Sequence, residues 1–175
     1  MLFTQYYLDC LSHASYMVAD TDAGVAAVVD PRRDIEEYLA DAKEAGVEIK
    51  YVIETHVHAD FLSGHLEMAA ATGAEIIYGE AADTEFAIRK VTDGERISLG
   101  EVTLEFRATP GHTPESISVV VYEHPDDETP YGVLTGDTPF IGDAGRPDLL
   151  SAIGVTAEEL GGQLYDPPRN KIMPL

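Results

Sequence analysis

Thr55-His56-Val57-His58-Ala59-Asp60 places two imidazoles and a carboxylate within five positions. On a loop leaving a strand, alternate side chains converge on a common side. Imidazole nitrogens and carboxylate oxygens are the ligands that suit zinc, manganese and non-haem iron. Two later segments offer the same groups, Thr109-Pro110-Gly111-His112-Thr113 and Thr135-Gly136-Asp137-Thr138. Gly111 and Gly136 each permit a tight backbone beside the candidate ligand. A lone histidine is more often packed or solvated than bound to metal, but these three segments together make a metal-site pattern. The expected set is two histidines and one carboxylate: His56, His112 and Asp137.

Such a set must be held by rigid elements. Tyr16–Ala19 and Val25–Val29 flank the turn cluster Asp20-Thr21-Asp22-Ala23-Gly24 and read as a β-hairpin, closed by Asp30-Pro31. Asp34–Ala45 carries Ile35, Leu39 and Ala42 at helical spacing and ends at Gly46. Tyr51–Glu54 reads as a short buried strand that stops where the histidines begin. Ser63 is the expected N-cap of a second helix through Ala71, with Gly73 ending it. Ala74–Tyr78, Ile97–Leu99, Val102–Ala108, Ser116–Tyr122 and Tyr131–Thr135 read as strands, and Thr156–Tyr165 as helix. The order predicts a single layered α/β domain over residues 1–175, with the candidate ligands at strand ends.

The 175 residues, 45% of them hydrophobic, suffice for one sizeable core. A formal charge of −21 repels phosphate backbones and anionic lipid, so no nucleic-acid or membrane partner is expected. A high-salt habitat or an ordinary acidic bacterial enzyme would each account for that charge. The single cysteine, Cys10, rules out an intrachain disulfide and a multi-cysteine zinc site. Nothing basic neighbours it, and it is expected to be a buried small residue. With no basic segment before an apolar run at the start, the expected location is the cytoplasm.

The motif, the distant Pro-Gly-His and the distant Gly-Asp resemble the metallo-β-lactamase superfamily, whose signature is His-x-His-x-Asp-His followed by a distant His and Asp. The resemblance implies an αβ/βα four-layer sandwich with metal at the edge between two sheets. Here the signature's last histidine is replaced by Phe61. In dinuclear members that histidine helps hold a second metal, so one metal per chain is expected. The runs ETHVHADFLSGH, ATPGHTPESIS and TGDTPFIGDAGRPDLL are similar to the persulfide dioxygenases, whose bacterial members are often fused to rhodanese domains.

That resemblance implies one Fe(II) held by His56, His112 and Asp137. His58 and Asp60 would then be catalytic groups behind the ligands, orienting them; a dinuclear hydrolase would use both as direct ligands. Arg146, in the loop after Asp137, would bind a substrate carboxylate or brace the loop through Asp148. The expected reaction oxidises glutathione persulfide, or a similar small persulfide, with O₂ to sulfite and thiol. The alternative is a zinc thioester hydrolase of the glyoxalase II type. His65 and His13 are expected in packing roles, with His13 able to border the pocket, and His124 in solvent. Relatives continue into a further strand and a Pro-Ala-His segment not found here, so a fold truncated at its C-terminal edge is expected, with homodimerisation or a rhodanese partner or fusion open.

Overall fold

The structure, a computed structural model, describes residues 1–140, 143–146, 161–162, 165 and 168–175. Strands β1 (Leu2–Leu8), β2 (His13–Asp20) and β3 (Val25–Val29) form an antiparallel meander. The β2–β3 turn forms because Asp20 Oδ1 accepts hydrogen bonds from the amides of Asp22 (2.9 Å) and Ala23 (3.0 Å), while Gly24 takes a left-handed φ of 70°. Helix α1 (Glu36–Ala45) begins two residues later than its periodicity predicts, with Ile35 at the N-cap. It ends, as expected, at a left-handed Gly46.

Strands β4 (Glu48–Ile53), β5 (Glu75–Gly79) and β6 (Arg89–Val91) continue the same sheet in parallel. Helix α2 (His65–Thr72) makes the crossover from β4 to β5. Its N-cap is Gly64, not Ser63. The Ser63 hydroxyl donates to Glu54 Oε1 (2.6 Å) and the Pro31 carbonyl (3.2 Å) and accepts from the His65 amide (3.3 Å), and a Cβ at Gly64 would be pressed into the Arg32 carbonyl.

A second, four-stranded sheet contains β7 (Arg96–Ser98), β8 (Thr103–Ala108), β9 (Ile117–Tyr122) and β10 (Gly132–Leu134), in the order β10-β9-β8-β7. A short pair, β11 (Pro139–Phe140) and β12 (Asp143–Ala144), follows. The short strand β6 was not legible in the sequence, and neither was the β11–β12 pair.

Alternation along the first sheet explains its place in the middle. Val18, Ala27, Val29 and Ile53 face Leu104, Phe106, Val119 and Val121 of the second sheet. Met17, Ala26, Val28 and Val52 face the other way, onto Tyr38 and Ala42 of α1 and Met68 of α2. Both faces are therefore buried, as parallel strands require. Phe106 is fully buried, so truncating it to alanine is expected to cost about 3–5 kcal/mol. The expected helix Thr156–Tyr165 lies mostly outside the described residues; of it Gly161, Gly162 and Tyr165 are described, in helical conformation. No helix among the described residues is long and apolar enough to cross a membrane.

Candidate metal centre

The parallel pairing of β3 with β4 sets the site. Val29 lies opposite Ile53, so both strands end at the same edge. Asp30 and Thr55 therefore leave the sheet side by side, although far apart in sequence. Asp30 Oδ1 accepts hydrogen bonds from the Thr55 amide (2.7 Å) and His58 Nε2 (3.0 Å). Asp30 Oδ2 accepts from the Thr55 hydroxyl at 2.8 Å. Since that hydroxyl has given its proton to Asp30, His56 Nδ1–H donates to Thr55 Oγ1 at 3.0 Å. One buried carboxylate thus orients both histidines of the motif. Asp30 adopts φ 50° to do so, a conformation that aspartate tolerates better than most residues.

The second sheet supplies the rest. His112 leaves β8 through Gly111, and Asp137 leaves β10 through Gly136. Ile117 N donates to the Thr55 carbonyl at 2.8 Å, tying the sheets together at this edge. Glu115 Oε1 accepts from the Val57 amide at 2.9 Å, holding the motif loop from the opposite side. The Thr138 hydroxyl reaches the Thr109 carbonyl at 3.2 Å, linking the loops of Asp137 and His112. Gly136, at φ 51°, lies against Thr55 so closely that a Cβ would fall 2.5 Å from its hydroxyl. Its role as a tight backbone position is borne out.

His56, His112 and Asp137 each offer a ligand atom within 4.8 Å of the others. His112 Nε2 lies 3.5 Å from Asp137 Oδ2. His112 Nδ1–H donates to the Arg146 carbonyl at 3.1 Å. Both imidazoles therefore carry their proton on Nδ1 and keep the Nε2 lone pair, the tautomer a metal ligand needs. Burial, with His58 next, pushes His56 down to about 3, so it is neutral. Burial raises Asp137 above the usual carboxylate range; His112 opposes this, and Asp60 and Asp30 reinforce it. The residues fit a metal ion.

Asp30, Glu54 and His58 form a second group of potential ligands directly behind the first. Burial alone would lower His58, but Asp30, Glu54 and Asp60 outweigh it and raise it to about 9. Burial and the Asp30 charge raise Glu54 to about 8. Glu54 Oε2, fully buried, lies 3.4 Å from His58 Nε2 without a hydrogen bond of its own. In the metal-free chain this is a buried imidazolium facing one ionised and one protonated carboxyl.

Phe61 packs against both His13 and His58, with ring centroids 4.0 and 4.4 Å away and the rings tilted by 50° and 47°. These residues, with Tyr7, Tyr16, Asp60 and Asp137, line a cavity of about 440 Å³ beside the ligand set. His13 thus borders the cavity as well as packing. His65 packs on Phe86 and Tyr78, and His124 is exposed. Arg146 meets the site through its backbone, with an exposed side chain. Asp148 and its loop lie outside the described residues. Cys10, expected to be buried, is exposed in the β1–β2 turn, because the turn carries it past the end of the sheet.

Sequence reasoning passed over Asp30, Glu54, Glu115 and Gly145. Asp30 read as the end of a hairpin, and nothing in its spacing from His58 marks the parallel pairing. Gly145 is buried where a Cβ would press into the Asp137 carbonyl and lie 3.0 Å from His112 Nδ1. Its place in Gly-Arg-Pro was the available signal.

The Metallo-beta-lactamase superfamily pattern matches residues 8–171. The chain belongs to that superfamily. Its fold agrees: a metallo-beta-lactamase from Staphylococcus aureus subsp. aureus COL superposes with TM-score 0.86 at 37% identity, covering 96% of this chain and 51% of that one. Human persulfide dioxygenase ETHE1, mitochondrial, is 30% identical over 146 residues, 81% of this chain and 54% of the relative. A hydroxyacylglutathione hydrolase of Rhodospirillum rubrum is 34% identical over 133 residues, 75% of this chain and 49% of the relative. The chain thus spans about half the length of the curated relatives it matches.

Proposed function

We propose that this chain oxidises a low-molecular-weight persulfide, with glutathione persulfide as the reference probe, using one Fe(II) held by His56, His112 and Asp137. The observation that carries the reading is the arrangement around Phe61. Phenylalanine stands where the dinuclear signature has a histidine, and it packs against His58, whose Nε2 is held by Asp30. The donor set that remains is two histidines and one carboxylate, which leaves coordination positions open for substrate and O₂. The similarity to persulfide dioxygenase ETHE1 supports the same reading.

The reaction balances as RSSH + O₂ + H₂O → RSH + H₂SO₃. The terminal sulfur loses four electrons, and O₂ gains them. An Fe(II) held by His56, His112 and Asp137 would offer open coordination positions and a redox-active centre that brings persulfide sulfur and O₂ together as neighbours. The protein does the rest. Thr55 and the Arg146 carbonyl hold the two ligand imidazoles in their Nδ1–H form. Asp30 keeps the motif loop and the His58 ring in place. Phe61, Tyr16 and Val133 give the cavity apolar lining. His58, carrying its extra proton in the metal-free chain, stands at the cavity wall beside Asp60, where it can return a proton to the departing thiolate.

Hydrolysis of a glutathione thioester on zinc is the second reading, favoured by the similarity to hydroxyacylglutathione hydrolases. Metal content after purification without added metal, together with two assays, separates them. About one iron per chain with O₂ uptake on persulfide supports the oxygenase. Two zincs per chain with thioester cleavage and no O₂ uptake would overturn it.

A further inference from the structure

Behind the candidate ligands, Asp30, Glu54 and His58 offer one donor atom each, all within 4.8 Å of one another. The two sets share no residue. Asp30 directly follows β3, Glu54 directly follows β4 and His58 belongs to the motif loop, so the parallel pairing brings all three together. Their side chains are buried, to 7% exposure for Asp30 and His58 and 0% for Glu54. Ser63 fixes how Glu54 points: its hydroxyl donates to Oε1 at 2.6 Å. Oε2 is left 3.4 Å from His58 Nε2, with no hydrogen-bond partner among the described residues. Asp30 Oδ1 lies 3.0 Å from the same nitrogen.

A carboxylate is seldom buried this completely unless it is paired or coordinates a metal. Around a tetrahedral zinc with bonds of about 2.0–2.1 Å, neighbouring donor atoms stand about 3.3 Å apart. The two spacings at His58 Nε2, 3.0 and 3.4 Å, fall on either side of that value. We propose that Asp30, Glu54 and His58 form a second cation site, for a divalent transition metal such as zinc, separate from the site of His56, His112 and Asp137. The ion takes the place of the proton between His58 Nε2 and Asp30 and gives Glu54 Oε2 the partner it lacks. Its double charge is balanced by the two carboxylates, and the imidazole binds neutral. Competition with that proton makes this the weaker of the two sites, filled only when metal is added. His58 lines the cavity of about 440 Å³, and Glu54 and His58 line another of about 340 Å³, with Phe61 in the wall of both; these give the ion a way in. When filled, the site ties the ends of β3 and β4 to the motif loop, whatever reaction the first ion serves.

Zn(II) titrated into the metal-free chain tests this, with Mg(II) in excess to cover surface carboxylates and bound zinc counted after dialysis. Wild type is expected to bind about two ions per chain. His112→Ala is expected to keep one of them, and its melting temperature to rise as zinc is added. Adding Glu54→Gln to that variant is expected to remove both the ion and the rise. Asp60→Asn is expected to keep both ions, because Asp60 is a ligand in a dinuclear hydrolase centre but not here. A single ion in wild type, or a second ion that survives Glu54→Gln, overturns the proposal; loss of that ion in Asp60→Asn would assign it to a dinuclear centre instead. Should circular dichroism show that Glu54→Gln does not fold, the His112→Ala chain decides: one zinc with a raised melting temperature supports the site, and no bound zinc overturns it.

Discussion

Asp30 Oδ1 lies 3.0 Å from His58 Nε2 while the same carboxylate holds Thr55, and through Thr55 the ring of His56. A residue outside the ligand set therefore controls the direction of two imidazoles. Groups that orient metal ligands are typically worth about 10–100-fold in metal affinity. Asp30→Asn keeps the shape and removes the charge. It is expected to weaken Fe(II) binding by about that factor in a metal titration, with circular dichroism unchanged. Unaltered affinity would reduce Asp30 to a loop brace.

Glu54 gives the metal-free chain a characteristic response to pH. Its folded pKa of about 8 lies above its unfolded value of about 4.3, so the protonated form is favoured by folding. The resulting stability is fully present below about pH 4.3 and is lost as pH rises through about 8. His58, raised to about 9, acts in the same direction, with its contribution fully present below about pH 6.5 and lost as pH rises through 9. Burial lowers His56, which opposes this trend below about pH 6.5, so the metal-free melting temperature is expected to fall from about pH 6.5 to pH 9. In Glu54→Gln the fall over that range should be shallower, leaving the His58 part. Superimposable profiles for the two proteins would contradict a protonated Glu54.

Gly145 is buried against both the Asp137 carbonyl and His112 Nδ1. Gly145→Ala must push one of these ligand-bearing segments away. A displacement of about 1 Å is enough to cost on the order of 100-fold in rate. Metal content well below that of wild type, with a melting temperature lowered by only a few degrees, is the expected outcome. A fully metallated, fully active variant would show that the loop can yield without disturbing the ligands.

Salt should stabilise this chain. With 32 acidic and 11 basic residues, self-repulsion opposes the compact state. Raising salt from 0.1 to 1 M shortens the Debye length from about 10 to about 3 Å. Melting curves in a KCl series are expected to move upward over that range, and a flat series would argue for an ordinary acidic enzyme.

That His56, His112 and Asp137 come together was legible because their signals are local: His-x-His-x-Asp, Pro-Gly-His and Gly-Asp each occupy one short run at the end of a readable strand. The β2–β3 hairpin and both helices were legible through turn residues and helical spacing. Asp30 and Glu54 were not, because their importance arises from which strands lie side by side. That pairing depends on the parallel packing of β3 and β4 across a whole helix, and no local pattern records it. Ser63 stands one residue before the N-cap, Gly64: its oxygen accepts from the His65 amide at 3.3 Å, while its hydroxyl donates to Glu54, a partner brought in by tertiary structure. Cys10 failed because residue type predicts average burial, while the turn sets its actual place.

The three candidate ligands are divided between the sheets, with His56 at the end of the first and His112 and Asp137 on loops of the second. A half-assembled chain can present His56 alone, or the other two, but not the full set. Binding of an ion by all three would therefore have to wait until the two sheets have packed, so that metal uptake by a newly made chain would report the closing of the sandwich.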